Sequence, residues 1–264
     1  MTHTKVPVIF DLDGTLVDPA GGITDGIAAA LTDLGLTVPG KARMDAMIGP
    51  KLSHSLTEIA GVPAAQLAEA IRIYRAHYLA TGIAQSRLYP GVRELLDSFV
   101  AAGRPIAVAT QKPEGLARTV LEHHGIAGLF HTIRGSAADE TAAAGAAVGT
   151  GAPSGKAGIV AAALADLDTD PGLGARRAVM VGDRAQDVAG AAANGLECIG
   201  VGWGFAPDGE LHEAGAVEIV QTATALHQTI IRRDAARATG PGAISATAAP
   251  TTEALDEVHT DGNV

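Results

Sequence analysis

The chain opens on a short apolar run, Val6-Pro7-Val8-Ile9-Phe10, and then sets two acids on alternate positions in Asp11-Leu12-Asp13-Gly14-Thr15-Leu16. An unbroken run with β-branched residues predicts a buried strand, and the glycine that follows predicts a turn. Past Asp18-Pro19-Ala20-Gly21-Gly22, itself turn-like, the period changes. Ile23, Ile27, Leu31 and Leu34 recur at three-to-four spacing, which predicts an amphipathic helix over 23–34 that ends at Gly35. Gly49-Pro50-Lys51 predicts a loop between helices. Helix is expected again over 53–60 and 64–80, the latter with Leu67, Ile71, Tyr74 and Tyr78 on one side. No strand pattern occurs over 19–84.

The character changes at Tyr89-Pro90-Gly91. Helix is predicted over 92–102, strand over 105–109, helix over 113–124 and a weaker strand over 130–133. Residues 135–155 are rich in alanine and glycine and fit no single pattern. Helix resumes over 156–167. A Pro-Gly turn, a strand over 178–181, a helix over 186–193, a strand over 197–201 and a last strand-helix unit over 217–233 complete the pattern. Repeated units of this kind predict a mostly parallel sheet with helices on both faces and ligands at the carboxyl ends of the strands. The expected architecture is α/β: a Rossmann-like three-layer core from residues 1–18 and 85–239, a smaller α-helical domain over 19–84, and a flexible tail over 240–264.

Composition narrows the function classes. Of the 264 residues 47% are hydrophobic and 3% aromatic, so the core must be built from Ala, Val, Leu and Ile. A formal net charge of -10 argues against a nucleic-acid polymer or an anionic membrane as partner. The single cysteine, Cys198, excludes an internal disulfide and an all-cysteine metal site, and its apolar surroundings predict an inert core thiol. No secretory apolar segment precedes the first strand, and no run approaches the ~20 apolar residues of a membrane span, so a soluble, cytoplasmic protein is expected.

Candidate chemistry collects at the predicted strand ends. Asp11 and Asp13 follow the first strand, Thr110-Gln111-Lys112 follows the strand over 105–109, and Gly182-Asp183-Arg184-Ala185-Gln186-Asp187 follows the strand over 178–181; Lys156 begins a helix. Each has a plainer reading alone: an acidic turn, a helix-capping threonine, a first-turn acid, a surface lysine. Together they supply clustered carboxylates without supporting His or Cys, which suits Mg²⁺, and a hydroxyl and an amine, which suit phosphate. Gly155-Lys156 lacks the glycine offset and the hydroxyl of a nucleotide-binding P-loop, Gly200-Val201-Gly202-Trp203-Gly204 is not a dinucleotide fingerprint, and the neighbours His123 and His124 lack metal-ligand spacing.

These residues resemble the motifs of the haloacid-dehalogenase-like superfamily in its phosphatase form. Asp11-Leu12-Asp13-Gly14-Thr15-Leu16 resembles the first motif, Thr110 the second, Lys156 the third, and Gly182-Asp183 with Asp187 the fourth, across roughly 6–235. The helical insert, Tyr89-Pro90-Gly91-Val92 and the glycine-flanked Trp203 are similar to the phosphoglycolate-phosphatase-like branch and its small cap. The resemblance implies Asp11 as nucleophile and Mg²⁺ ligand, and Asp13 as general acid/base with its backbone carbonyl on the metal. It implies Asp183 and Asp187 around the metal, and Thr110 and Lys156, with backbone N–H groups near Leu12 and Gln111, on the phosphoryl group. An acid at Asp13 favours phosphate over halide chemistry. Gln111 and Ala157 depart from the branch's usual residues, and Lys112 is the substitute should Lys156 be misplaced. In the cap loop, Lys51 and His54 are the candidates for the leaving group. The implied activity is Mg²⁺-dependent hydrolysis of a small phosphorylated metabolite, 2-phosphoglycolate by default, by a monomer or homodimer. A nucleoside monophosphate or sugar-phosphate phosphatase, a phosphoryl mutase, and a non-enzymatic Mg²⁺ or phosphate-ligand binder are the alternatives.

Overall fold

The computed structural model describes residues 5–137, 155–168 and 178–239. Most of the alanine- and glycine-rich 135–155 stretch, the Pro171-Gly172 turn and the 240–264 tail lie outside them.

The first strand, β1 (Val8–Phe10), is fully buried and leads to Asp11, whose N–H donates to the Val181 carbonyl at 2.9 Å. The Leu12 carbonyl then accepts from Thr15, Leu16 and Val17, curling the chain into a tight turn before β2 (Val17–Asp18). The insert follows: α1 (Gly22–Asp33), the short α2 (Lys41–Asp45) and α3 (Leu52–His54), α4 (Leu67–His77) and the single turn α5 (Ile83–Gln85). A wider π turn continues α3 over Ser55–Ile59, and another links α4 to α5 over Tyr78–Gly82. The uniform helix expected over 64–80 is therefore broken in winding. Gly22 and Gly82 explain the close crossing of the second π turn with α1: a Cβ on Gly22 would lie 2.6 Å from the Gly82 carbonyl oxygen. β3 (Arg87–Leu88) pairs antiparallel with β2, so the insert begins and ends at one two-stranded ribbon.

The remainder is α6 (Val92–Ala101), β4 (Ile106–Pro113), α7 (Glu114–His123), β5 (Thr132–Ser136), α8 (Gly155–Asp168), β6 (Val179–Gly182), α9 (Ala185–Ala192), β7 (Glu197–Val201), α10 (Glu210–Glu213), β8 (Glu218–Val220) and α11 (Ala223–Thr239). Six strands form one parallel sheet in the order β5-β4-β1-β6-β7-β8, covered by helices on both faces. This is the expected Rossmann-like core with a smaller helical cap. Its connections reverse at β1, the point in an open sheet where strand ends leave a crevice. Two strands depart from the sequence pattern. β5 sits later than 130–133, and β4 runs on through Thr110, Gln111 and Lys112, where a loop was expected. The extension pairs irregularly, with a register shift between Ala109 and Pro113. Gly135 permits it, because a Cβ there would lie 2.5 Å from the Lys112 carbonyl oxygen.

No helix among the described residues is long and apolar enough to cross a membrane.

Candidate active site

The ends of β1, β4 and β6, joined by the first turns of α8 and α9, gather the chemistry at one sheet edge. Asp11, Asp183 and Asp187 each offer a carboxylate oxygen within 4.8 Å of the others, and all three are buried. Lys156, in the first turn of α8, forms ion pairs with Asp11 and, at 2.7 Å, with Asp187 Oδ1. The latter contact lacks hydrogen-bond alignment. Gly190 in α9 brings the lysine in: a Cβ there would stand 2.8 Å from Lys156 Cγ. Thr110 is buried on β4, two residues past Val108, which pairs with Phe10 of β1.

Asp183 is held by two donors and two glycines. Thr15 Oγ1 donates to Oδ1 at 3.2 Å and the Phe205 N–H to Oδ2 at 2.8 Å. Side chains at Gly14 or Gly204 would collide with it, their Cβ atoms falling 2.1 Å from Oδ2 and 2.4 Å from Cβ. Asp187 caps α9 by accepting the Arg184 N–H at Oδ2, 3.0 Å away. Arg184 reaches both ways, donating from Nε to Glu210 at 2.9 Å and from Nη1 to the Ile48 carbonyl of the insert at 2.6 Å.

Asp13 stands apart from the three clustered acids. Lys112 Nζ approaches its Oδ2 at 2.8 Å, while its Oδ1 is buried without a hydrogen-bond partner. A cleft between insert and core opens beside it, walled by Ile23, Met47, Leu52 and Tyr74 on one side and Gln111 and Leu116 on the other. Of the cap-loop candidates, Lys51 is half-buried, His54 is exposed, and the loop's wall of the cleft comes from Gly49, Pro50 and Leu52. Trp203 packs on Tyr89 with ring centroids 6.2 Å apart and donates to the Thr15 carbonyl at 3.1 Å, bracing the first turn. Cys198 is buried, and burial pushes its thiol up, as befits a core thiol.

The electrostatics follow from burial. Desolvation raises the Asp11 carboxyl above its usual range against the pull of Lys156. It raises Asp183 strongly, with Asp187 and Asp11 adding repulsion, and pushes Asp187 up to about 6. Burial opposes the charge on Lys156, but Asp11 and Asp187 more than offset it, and the amine stays an ammonium. Around this edge the acids Asp11, Asp13, Asp183, Asp187 and Glu210 outnumber the cations Lys112, Lys156 and Arg184. Crowded hard oxygens with surplus negative charge fit a divalent, oxygen-seeking cation, and the donor set contains no soft ligand. Asp11, Asp183 and Asp187 are the residues that would hold it.

The site therefore joins Asp11, Lys156, Asp183 and Asp187, with Asp13 one step away on its own lysine. Sequence reasoning missed the Phe205 N–H, Thr15, the Arg184 bridge and the pairing of Lys112 with Asp13. For Lys112 alone there was a signal, since it follows Thr110 by two positions at the same strand end.

Residues 8–195 match the family model described as haloacid dehalogenase-like hydrolase. The chain is 35% identical over 223 residues to a 5'-nucleotidase of Pseudomonas aeruginosa, covering 84% of this chain and 94% of that protein. It is 38% identical over 217 residues to the tyrosine-protein kinase PtkA of Mycobacterium tuberculosis, covering 82% of this chain and 69% of PtkA. It is 34% identical over 203 residues to the phosphoglycolate phosphatase of Yersinia pseudotuberculosis, covering 75% of this chain and 81% of that enzyme. The phosphoglycolate-phosphatase branch is thus one of several specialisations among its relatives. From its sequence, its sheet and its aspartate cluster alike, the chain belongs to the haloacid dehalogenase-like hydrolases.

Proposed function

We propose that this chain hydrolyses small phosphomonoesters through a phosphoryl group carried on Asp11, with nucleoside 5'-monophosphates as the favoured substrate class. The observation that carries the reading is the meeting of Asp11, Asp183 and Asp187 within 4.8 Å, with Lys156 on Asp11 and Asp187. In the proposed first half-reaction Asp11 attacks phosphorus, the bond to the leaving oxygen breaks, and Asp13 protonates that oxygen. In the second, Asp13 takes a proton from water as the water attacks phosphorus, releasing inorganic phosphate and restoring Asp11. Thr110 and Lys156, with backbone N–H groups near Leu12 and Gln111, hold the transferring oxygens. A bound Mg²⁺, held by Asp11, Asp183 and Asp187 and by the Asp13 carbonyl, would offset the repulsion between the phosphate and the attacking carboxylate.

The substrate class is inferred from the name of the Pseudomonas aeruginosa relative, a 5'-nucleotidase. The cleft itself mixes apolar Ile23, Met47, Leu52, Tyr74 and Leu116 with polar Asp13, Arg75, Gln111 and Lys112, so a nucleoside would have to enter with the insert raised. A second reading, 2-phosphoglycolate, is favoured by Arg75 in the lining, and Lys51 in the adjoining loop is its further candidate; there a cation would meet the glycolate carboxylate. The insert over 19–84 acts in either case as a lid that selects a small soluble ester and keeps bulk water from the site.

Phosphate release with Mg²⁺ across nucleoside monophosphates, 2-phosphoglycolate and sugar phosphates tests the proposal. Turnover should be highest on the nucleotides and nearly abolished in Asp11→Asn and Asp13→Asn. Isomerised sugar phosphate without free phosphate would mean a mutase, ligand binding without turnover a non-enzymatic binder, and an active Asp11→Asn protein a different nucleophile. Unchanged preference in Lys51→Ala would remove that residue from the leaving-group site.

A further inference from the structure

We propose that Lys112 is a positioning residue for proton transfer at the leaving group, and that the insert reaches this step through Tyr78. The inference rests on the phosphomonoesterase reading and gives Lys112, which the resemblance offered only as a substitute for Lys156, a role of its own.

Three observations meet here. First, Lys112 Nζ and Asp13 Oδ2 are 2.8 Å apart with side-chain exposures of 5% and 8%, so the ion pair is shut away from water. A flexible four-carbon stem ending in a strongly hydrated ammonium is costly to bury in this way. Second, the pairing treats the two carboxylate oxygens differently. Oδ2 is tied to the ammonium, while Oδ1 is buried, has no hydrogen-bond partner among the described residues, and belongs to a side chain that lines the cleft. That leaves Oδ1 as the oxygen that can pass a proton to the leaving group. Third, the ammonium rests 4.6 Å above the Tyr78 ring, which belongs to the insert, is fully buried, and stacks on Tyr74 at 5.6 Å. Tyr74 in turn walls the cleft. One ammonium is therefore shared between the core's proton donor and an aromatic pair of the lid.

The local backbone explains how the lysine arrives. β4 continues past Ala109, and the Lys112 N–H donates to Thr110 Oγ1 at 3.2 Å, fixing both residues at the strand end. Lys112 and Lys156 thus divide the work: one ammonium on Asp13, the other on Asp11 and Asp187. A lysine that merely neutralised a buried acid would need neither an orphan oxygen beside it nor an aromatic ring from the lid beneath it.

A difference in leaving groups separates positioning from simple charge compensation. The leaving p-nitrophenolate barely needs a proton, phenolate needs one more, and a nucleoside alkoxide needs one most. Lys112→Met should lower kcat/KM, which reports the transfer to Asp11 and not the hydrolysis step common to all esters, by about 100-fold on a nucleoside 5'-monophosphate, in line with ~10²–10⁴-fold for a general acid-base group, and by under about tenfold on p-nitrophenyl phosphate, with phenyl phosphate between. Asp13→Asn should show the same order with larger losses. Tyr78→Leu, which removes the ring and leaves Lys112 in place, should show it more weakly, a several-fold loss confined to the poorer leaving groups. Equal losses on all three esters in Lys112→Met, or an unchanged Lys112→Met beside a selectively impaired Asp13→Asn, would overturn the role of Lys112 and leave the phosphomonoesterase reading standing. Should Lys112→Met not fold, as judged by thermal unfolding, Tyr78→Leu decides in the same way. A parent protein that releases no phosphate from any ester would instead remove the reading beneath.

Discussion

Arg184 Nη1 donates to the Ile48 carbonyl at 2.6 Å, so the residue next to Asp183 is bonded directly to the helical insert. The contact surface is built closely: a Cβ on Gly49, at φ +102°, would lie 2.9 Å from Gln186 Nε2 and 3.1 Å from Arg184 Cγ. Arg184→Ala removes that bond and leaves Glu210 only the Ala185 N–H, 2.8 Å away, among the contacts described. The cost should be about 1–3 kcal/mol of stability, the usual range for stranding a buried hydrogen-bonding group. Hydrogen exchange should quicken selectively over 46–52, and KM should rise. Unaltered exchange there would show that the bond does not hold the insert down.

Gly14 answers a different need. Its φ of +90° is one that L side chains rarely adopt, and a Cβ would fall 2.1 Å from Asp183 Oδ2. Gly204 comes close to the same oxygen, where a Cβ would lie 2.4 Å from Oδ2. Gly14→Ala should weaken Mg²⁺ binding at least about tenfold by calorimetry, the scale on which supporting residues of metal sites act, and lower the melting temperature. Gly35, also left-handed but with nothing within 4 Å, should lose only stability when changed to Ala.

Far from the site, Arg104 is buried beneath α11, donating to the Val6 carbonyl at 2.6 Å, pairing with Asp234, and lying 4.9 Å from the Phe99 ring centre. Asp234→Ala would leave an uncompensated buried guanidinium, at a cost of about 3 kcal/mol. Urea denaturation should show that loss, while kcat below the melting range should stay that of the parent.

The acid cluster predicts how stability changes with pH when Mg²⁺ is removed. Asp187 is pushed from 3.8 up to about 6, first by burial and then by Asp11, against the pull of Lys156. Between those values the folded chain keeps a proton that the unfolded chain has released, so stability falls as pH rises through the window. Asp183, also raised by burial and by the neighbouring Asp187 and Asp11, adds to the loss in the same direction. Chelator-treated protein should melt at progressively lower temperature from pH 4 to about 6, and Asp187→Asn should flatten that slope. Saturating Mg²⁺ should reverse the loss where the carboxylates are ionised.

Much of this site could be read from the chain before any coordinates. Asp11, Asp13, Asp183 and Asp187 are marked because acids directly after buried strands are costly, and the parallel sheet brings such strand ends together whatever the loops do. Lys156 was harder to see, since its role depends on Gly190 letting α8 approach α9, a packing fact with no local pattern. The Phe205 N–H is a backbone group and carries no side-chain signature. The expected loop at Thr110-Gln111-Lys112 is strand because Gly135, a residue of β5, lets the neighbouring backbone close in. The breaks in the long cap helix likewise depend on the approach of Gly22 and Gly82, distant in sequence. Periodicity reports which face of an element is buried; it is silent on contacts that distant glycines permit.

The pairing of Val17 with Leu88 and of Asp18 with Arg87 means that everything between leaves and re-enters the core through adjacent backbone. Such a doorway makes the intervening helices a cassette: exchanging them would change the wall of the cleft beside Asp13 without disturbing the register of the six-stranded sheet. Specialisation for a new ester can therefore proceed by rewriting this interchangeable piece, while the ionic centre is inherited intact.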